Sequence, residues 1–145
     1  MTQNPDDQTI RRILTETRTV AVVGWSPNAE RPSHGVADFL RSRGMRVIPV
    51  NPGQAGHSYG GEVIRARLGD IPAGGGGVEM VDIFRRPDAV AAIVDEALAT
   101  LPDLKVIWMQ LGLQDEAAAA RARAKGVVVV QDRCPRIEAR RLGLA

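Results

Sequence analysis

Apolar residues cluster along the chain in five short, largely β-branched runs: Val20 to Val23, Met45 to Val50, Met80 to Phe84, Lys105 to Met109 and Val127 to Val130. A strand with one wet face alternates polar and apolar residues. Runs that stay apolar are strands covered on both faces, as in a parallel sheet. Between the runs the apolar spacing changes to three and four residues. Ser33 to Arg43 places Val36, Phe39 and Leu40 on one side of a helix that stops at Gly44. Pro87 to Leu101 repeats Val90, Ile93, Val94, Ala97 and Leu98, with Pro87 suited to a first helical turn. Asp115 to Lys125 is alanine-rich, with acids at its start, bases at its end and Gly126 as a stop. Asp88 and Asp115 therefore read as helix-start acids and not as catalytic carboxylates. An N-terminal helix carries Ile10, Ile13 and Leu14 toward the sheet. Glu62 to Leu68 predicts one further short helix, and Gly74 to Gly77 predicts a flexible linker before the third strand.

Strands alternating with helices define an α/β fold, a doubly wound, Rossmann-like parallel sheet of five strands with helices on both faces. At 145 residues the whole chain, 1–145, reads as a single domain with no internal repeat. Composition sharpens this picture. Only 3% of residues are aromatic, so the core must be aliphatic. One cysteine excludes an internal disulfide framework and the usual cysteine-based zinc sites. No apolar run approaches the roughly 20 residues that cross a bilayer. The polar, acidic start MTQNPDDQT is unlike a secretory signal, so a cytoplasmic protein without a membrane partner is expected. Net charge is +2, and the arginines occur as scattered pairs without interleaved aromatics, which argues against nucleic-acid binding. A small anion needs only one or two of them.

In open parallel sheets ligands bind at the carboxyl ends of the strands, where strand order reverses. The first exit reads Gly24-Trp25-Ser26-Pro27-Asn28-Ala29-Glu30-Arg31-Pro32-Ser33. Gly24 permits a tight turn, and Ser33 is the expected N-cap of the following helix. Amides at that helix start favour an anion, and Arg31 adds charge. Trp25 lies in the same loop, where its ring is placed to cover a ligand or to pack the loop. His34 is expected to pack the loop, and His57 has no evident partner. No Gly-x-x-x-x-Gly-Lys-Ser/Thr run exists, which argues against NTP hydrolysis. Gly-x-Gly-x-x-Gly is also absent, and the second strand ends Asn51-Pro52 where a dinucleotide site places an acid.

Five motifs, each at a strand exit, resemble a known family. They are Val23-Gly24-Trp25-Ser26 with Arg31-Pro32-Ser33, Val47 to Pro52, Val81-Asp82-Ile83-Phe84-Arg85, Trp108-Met109-Gln110-Leu111-Gly112, and Asp132-Arg133-Cys134-Pro135. Together they are similar to the small stand-alone CoA-binding proteins, relatives of the CoA-binding domain of the succinyl-CoA synthetase alpha subunit. The resemblance implies that coenzyme A or an acyl-CoA is the ligand. It implies that Ser26, Arg31 and Ser33 hold the pyrophosphate, with Gly24, Trp25 and Pro32 in the same cofactor-binding loop, and that Asn51 and Pro52 flank the adenosine. Phe84 and Arg85 would line the adenine and ribose side, with Gln110 to Gly112 passing the pantetheine arm. The missing acid then makes sense, since it would repel the 3′-phosphate. Relatives commonly place a Lys or Arg after Asn-Pro, whereas this chain has Gly53-Gln54-Ala55-Gly56, so the 3′-phosphate contact is either missing or falls to an arginine from elsewhere. Cys134, beside Arg133, is expected to be structural, with a mixed disulfide to the CoA thiol as the reactive alternative.

The expected function is therefore binding, with no catalysis of the chain's own. Two rivals remain at this stage. One is a CoA-binding subunit of an acyl-CoA synthetase that needs a partner chain, and the other is an NAD(P) oxidoreductase. Apolar helix faces also leave surface for a homo-oligomer or an unidentified protein partner.

Overall fold

A computed structural model describes residues 3–145. In chain order its strands are β1 (Thr19–Val23), β2 (Arg46–Val50), β3 (Ser58–Tyr59), β4 (Glu62–Val63), β5 (Met80–Ile83), β6 (Val106–Met109) and β7 (Val128–Val130). Its helices are α1 (Asp7–Glu16), α2 (Pro32–Ser42), the single turn α3 (Pro72–Gly75), α4 (Val90–Thr100), α5 (Glu116–Ala124) and α6 (Pro135–Arg141). Five strands form one parallel sheet in the order β2-β1-β5-β6-β7, while β3 and β4 make a separate small hairpin.

Alternation within each strand splits the buried residues between two faces. Val20 and Val22 join Ile10, Leu14, Val36, Leu40, Trp108 and Ala139, so α1, α2 and α6 cover one face. Ala21 and Val23 join Ile83, Val94, Ala97, Ile107 and Ala119 on the other, which α4 and α5 cover. Small residues at Ala97, Ala118, Ala119 and Ala122 are fully buried and let the backbones of α4 and α5 approach the sheet closely.

Each sheet edge is closed by a polar clasp. On β2, Pro49 offers no N–H, and its carbonyl accepts from the Arg65 amide at 3.0 Å. Arg65 in turn accepts from the Asn51 amide at 2.8 Å. Just past β7, the side chain of Asn4 brackets Gln131, donating to its carbonyl at 2.9 Å and accepting from its amide at 2.7 Å.

Three local expectations need correction. Glu62 to Leu68 is not a helix. Gly60 and Gly61 have positive φ and turn the β3–β4 hairpin, after which Arg65 bridges to Val50. Glu62 faces Arg46 across this turn, at 2.8 and 3.0 Å, which fixes the hairpin to the sheet edge. Gly74 to Gly77 is a left-handed turn against Leu101 and Pro102, continuous with α3. The helix α6 adds a sixth helical segment that periodicity did not reveal.

The chain leaves β1 for β2 at one edge, then crosses to the other side of β1 to form β5. Strand order thus reverses between β1 and β5, opening a crevice at their carboxyl ends.

Candidate ligand groove

Gly24 closes β1 at this reversal with φ +87°, and a Cβ there would lie 2.1 Å from the Phe84 carbonyl oxygen. Only glycine lets the exits of β1 and β5 come this close. Three adjoining hollows meet here, and all three are lined by Gly24 and Arg85. The largest, about 580 Å³, runs past Ser26, Arg31, Ser33 and Phe84 to Gln110, Leu113, Cys134 and Ile137. A second reaches Asn51 and Arg86, and a third, about 220 Å³, opens between Pro52, Arg67, Leu68 and Ile93. The result is one bent groove spanning the exits of β2, β1, β5, β6 and β7.

The β1–α2 loop is held by its own side chains. Ser33 is not the helix cap: Arg31 occupies that position, Pro32 follows, and the buried Ser33 Oγ accepts from the Ser26 amide at 3.0 Å. Pro32 fixes this offset, because proline belongs at the first helical position. Ser26 Oγ accepts from the Asn28 amide, and the Ser26 carbonyl lies 2.9 Å from His34 Nδ1. Each hydroxyl is engaged as an acceptor, which leaves its proton free to donate to an anion. Arg31 and Arg85 form no ion pair among the described residues.

Several expected site residues also carry structural contacts. Trp25 is 4% exposed and packs under the loop against Tyr59 at 5.1 Å and His34 at 5.6 Å. Its ring therefore does not cover the groove. Asn51 ties two exits together, donating to the Trp25 carbonyl at 2.7 Å and accepting from the Gly53 amide at 2.8 Å. Gly112 faces the β7 side, its amide donating to Asp132 Oδ1 at 2.7 Å. Pro52 lines the third hollow, away from the largest. Cys134 is in the groove wall but 7% exposed, and Arg133 turns to Glu138 instead of to the thiol.

Leu111 falls in the Gln110 to Gly112 stretch expected to pass the arm, but Leu113 and Ile137 in the largest hollow and Arg67 in the third were not singled out from sequence. Nor was Asp82, although an acid in the apolar run Met80-Val81-Asp82-Ile83 is itself a signal. Asp82 is fully buried in the sheet between Val22 and Trp108. One end of the Gln110 amide lies 2.8 Å from Oδ1 and 3.2 Å from Oδ2, within hydrogen-bond reach of the carboxyl. Loss of hydration pushes the Asp82 carboxyl well above the usual carboxylate range. The native state thus keeps a proton that the unfolded chain releases above the ordinary value of 3.8. Stability falls as pH rises from there toward the folded value, by at most ~1.4 kcal/mol per pH unit for one proton. Asp82→Asn is expected to flatten this slope and to gain stability at pH 8 relative to wild type. Urea unfolding at pH 5 and pH 8 checks it; an unchanged slope contradicts the assignment.

A single-domain, doubly wound sheet with a cation-flanked groove at its strand reversal is a Rossmann-like domain. The family described as a CoA binding domain matches residues 18–140, and the chain belongs to that family. Bacillus subtilis YneT, itself uncharacterised, is 33% identical over 93% of this chain and 95% of its own. A Thermus thermophilus structure superposes with a TM-score of 0.85 at 35% identity, covering 95% of this chain and 99% of that one. One from Pyrococcus horikoshii gives 0.84 at 32%, covering 98% and 97%. Among the described residues no helix is long and apolar enough to cross a membrane.

Proposed function

We propose that the chain binds coenzyme A along the bent groove and holds it without catalysing a reaction of its own. The observation that carries this is the meeting of three hollows at Gly24 and Arg85, with Arg31, Arg67 and Arg86 along their walls. Such a path suits a ligand with a nucleotide at one end, a pyrophosphate at the bend and a flexible arm at the other. The adenosine occupies the hollow between Pro52 and Ile93, where Val50, Leu68 and Ala92 offer apolar contact. Arg67 and Arg85 flank it and supply the cation for the 3′-phosphate. Arg31, at the start of the eleven-residue α2, takes the pyrophosphate with help from the helix dipole. The arm then follows Phe84 toward Gln110.

Two side chains near the groove that carry reactive groups are engaged or enclosed. His34 spends its ring on the Ser26 carbonyl and on Asp38, 3.5 Å away. Cys134, the sole thiol, is buried. Neither forms a nucleophile–base pair in the groove.

Isothermal calorimetry with CoA, dephospho-CoA and NAD tests the reading. CoA is expected to bind tightest. Arg31→Ala should weaken CoA about 10- to 100-fold, the value of a charge-assisted hydrogen bond. Arg67→Ala should erase most of the difference between CoA and dephospho-CoA. Heat from NAD with none from CoA overturns the proposal.

A further inference from the structure

The groove is strongly polarised along its length. Its β2–β1–β5 end carries Arg31, Arg67 and Arg85. Gln110 lies partway along, held against Asp82. Beyond it the wall is Leu113, Cys134, Leu111 and Ile137. The last two are conspicuous: only Val63, Leu111 and Ile137 are large apolar side chains left exposed among the described residues. Leu111 is 58% and Ile137 51% exposed, and both line the same hollow. They come from different elements, the loop after β6 and the helix α6, so the fold brings them together across the cleft mouth.

A free thiol does not account for that end. It is small and weakly polar, and it leaves two large apolar side chains wet. An anionic ligand whose far end is a hydrocarbon chain matches both halves of the groove, covering Leu111 and Ile137 while its phosphates meet the arginines. From this polarity we infer that the groove is a seat for acyl thioesters of CoA, with Leu111 and Ile137 covering the acyl chain. The inference rests on the reading of the groove as a CoA site.

Burial of a methylene contributes about 0.8 kcal/mol, so covering half of the six that separate acetyl from octanoyl gives about a 50-fold gain. Calorimetry with CoA, acetyl-CoA and octanoyl-CoA reads this directly, with octanoyl-CoA expected to bind about ten- to fiftyfold tighter than acetyl-CoA. In Leu111→Ser with Ile137→Ser, both exposed positions that folding does not depend on, that increment should shrink to within about twofold. Equal affinity for the two thioesters in the wild type, or an increment that survives in the double variant, overturns the inference while leaving CoA binding intact. Sedimentation velocity of both proteins covers the other occupant of such a face. A dimer lost in the double variant, with no chain-length effect, makes it a protein contact and overturns the acyl seat. If the wild type binds none of the three ligands, it is the CoA reading that fails.

Discussion

Replacing Gly24 with alanine should abolish ligand binding and destabilise the protein by more than about 3 kcal/mol. Two costs add. A left-handed conformation such as φ +87° costs a non-glycine residue about 1–3 kcal/mol. The new methyl then meets the Phe84 carbonyl oxygen at 2.1 Å and its carbon at 2.9 Å, backbone atoms that cannot turn aside. Relief requires the β1 and β5 exits to separate, which pulls on the Phe84 amide bond to the Val23 carbonyl and the Gly24 amide bond to the Val50 carbonyl. All three hollows share Gly24, so the groove is lost at its bend. Gly112→Ala is the matched control, because its φ is +83° but nothing lies within 4 Å of the added atom. Urea unfolding of both variants separates conformational cost from collision. Equal losses in the two would show that the close approach of Phe84 is unimportant.

Trp108→Ala is expected to cost ~3–5 kcal/mol, the range for emptying a large core site. That is about a fifth or more of the ~5–15 kcal/mol total stability typical of a domain. Trp108 is fully buried in β6, paired in register with Asp82 on one side and Val130 on the other. In a chain with so few aromatics it is the largest fully buried side chain. Its indole Nε1 also donates to the Arg133 carbonyl at 2.9 Å, tying β6 to the loop that leads into Cys134 and α6. Trp108→Phe keeps most of the volume and removes that bond, so it should lose only part of the stability. The midpoint of unfolding, with an unchanged dependence on urea, is the measurement. A loss under 1 kcal/mol for the alanine variant would mean that the sheet face collapses around the void.

Much of the architecture was legible because its strands are covered on both sides. Val20 to Val23 and Val106 to Met109 have no solvated face, so apolar continuity alone marks them. The helix α6 was not legible, for the opposite reason. Its buried face is Pro135, Glu138 and Ala139, and Glu138 is held there by Arg141 at 2.9 Å, while Ile137 points outward. No apolar stripe survives that arrangement. The hairpin does carry a local signal, since the paired glycines Gly60-Gly61 suit a tight two-residue turn, but its strands of two residues each are too short for an alternating pattern.

At the site, the exits of the strands could be located from sequence, and eight of the expected residues line the largest hollow: Gly24, Ser26, Arg31, Pro32, Ser33, Phe84, Arg85 and Gln110. The direction of each side chain could not. Trp25 and Asn51 sit in the right loops but spend their polar and aromatic groups on Tyr59, His34 and neighbouring backbone. Those contacts join segments about 25 residues or more apart for Trp25–Tyr59 and Asn51–Trp25, and local pattern carries no trace of them.

The clasps on the two outer strands have a consequence for association. An open sheet normally offers its unpaired backbone as a template on which another chain can add a strand. Here Pro49 and Arg65 have already spent that capacity beside β2, and Asn4 has spent it beyond β7. Growth by strand addition is therefore hindered where these bonds lie, which leaves helical surfaces and the groove mouth as further places for copies of this protein to meet. An assembly formed across the groove mouth would compete with the ligand for it, and in that case occupancy and self-association would be linked through one surface.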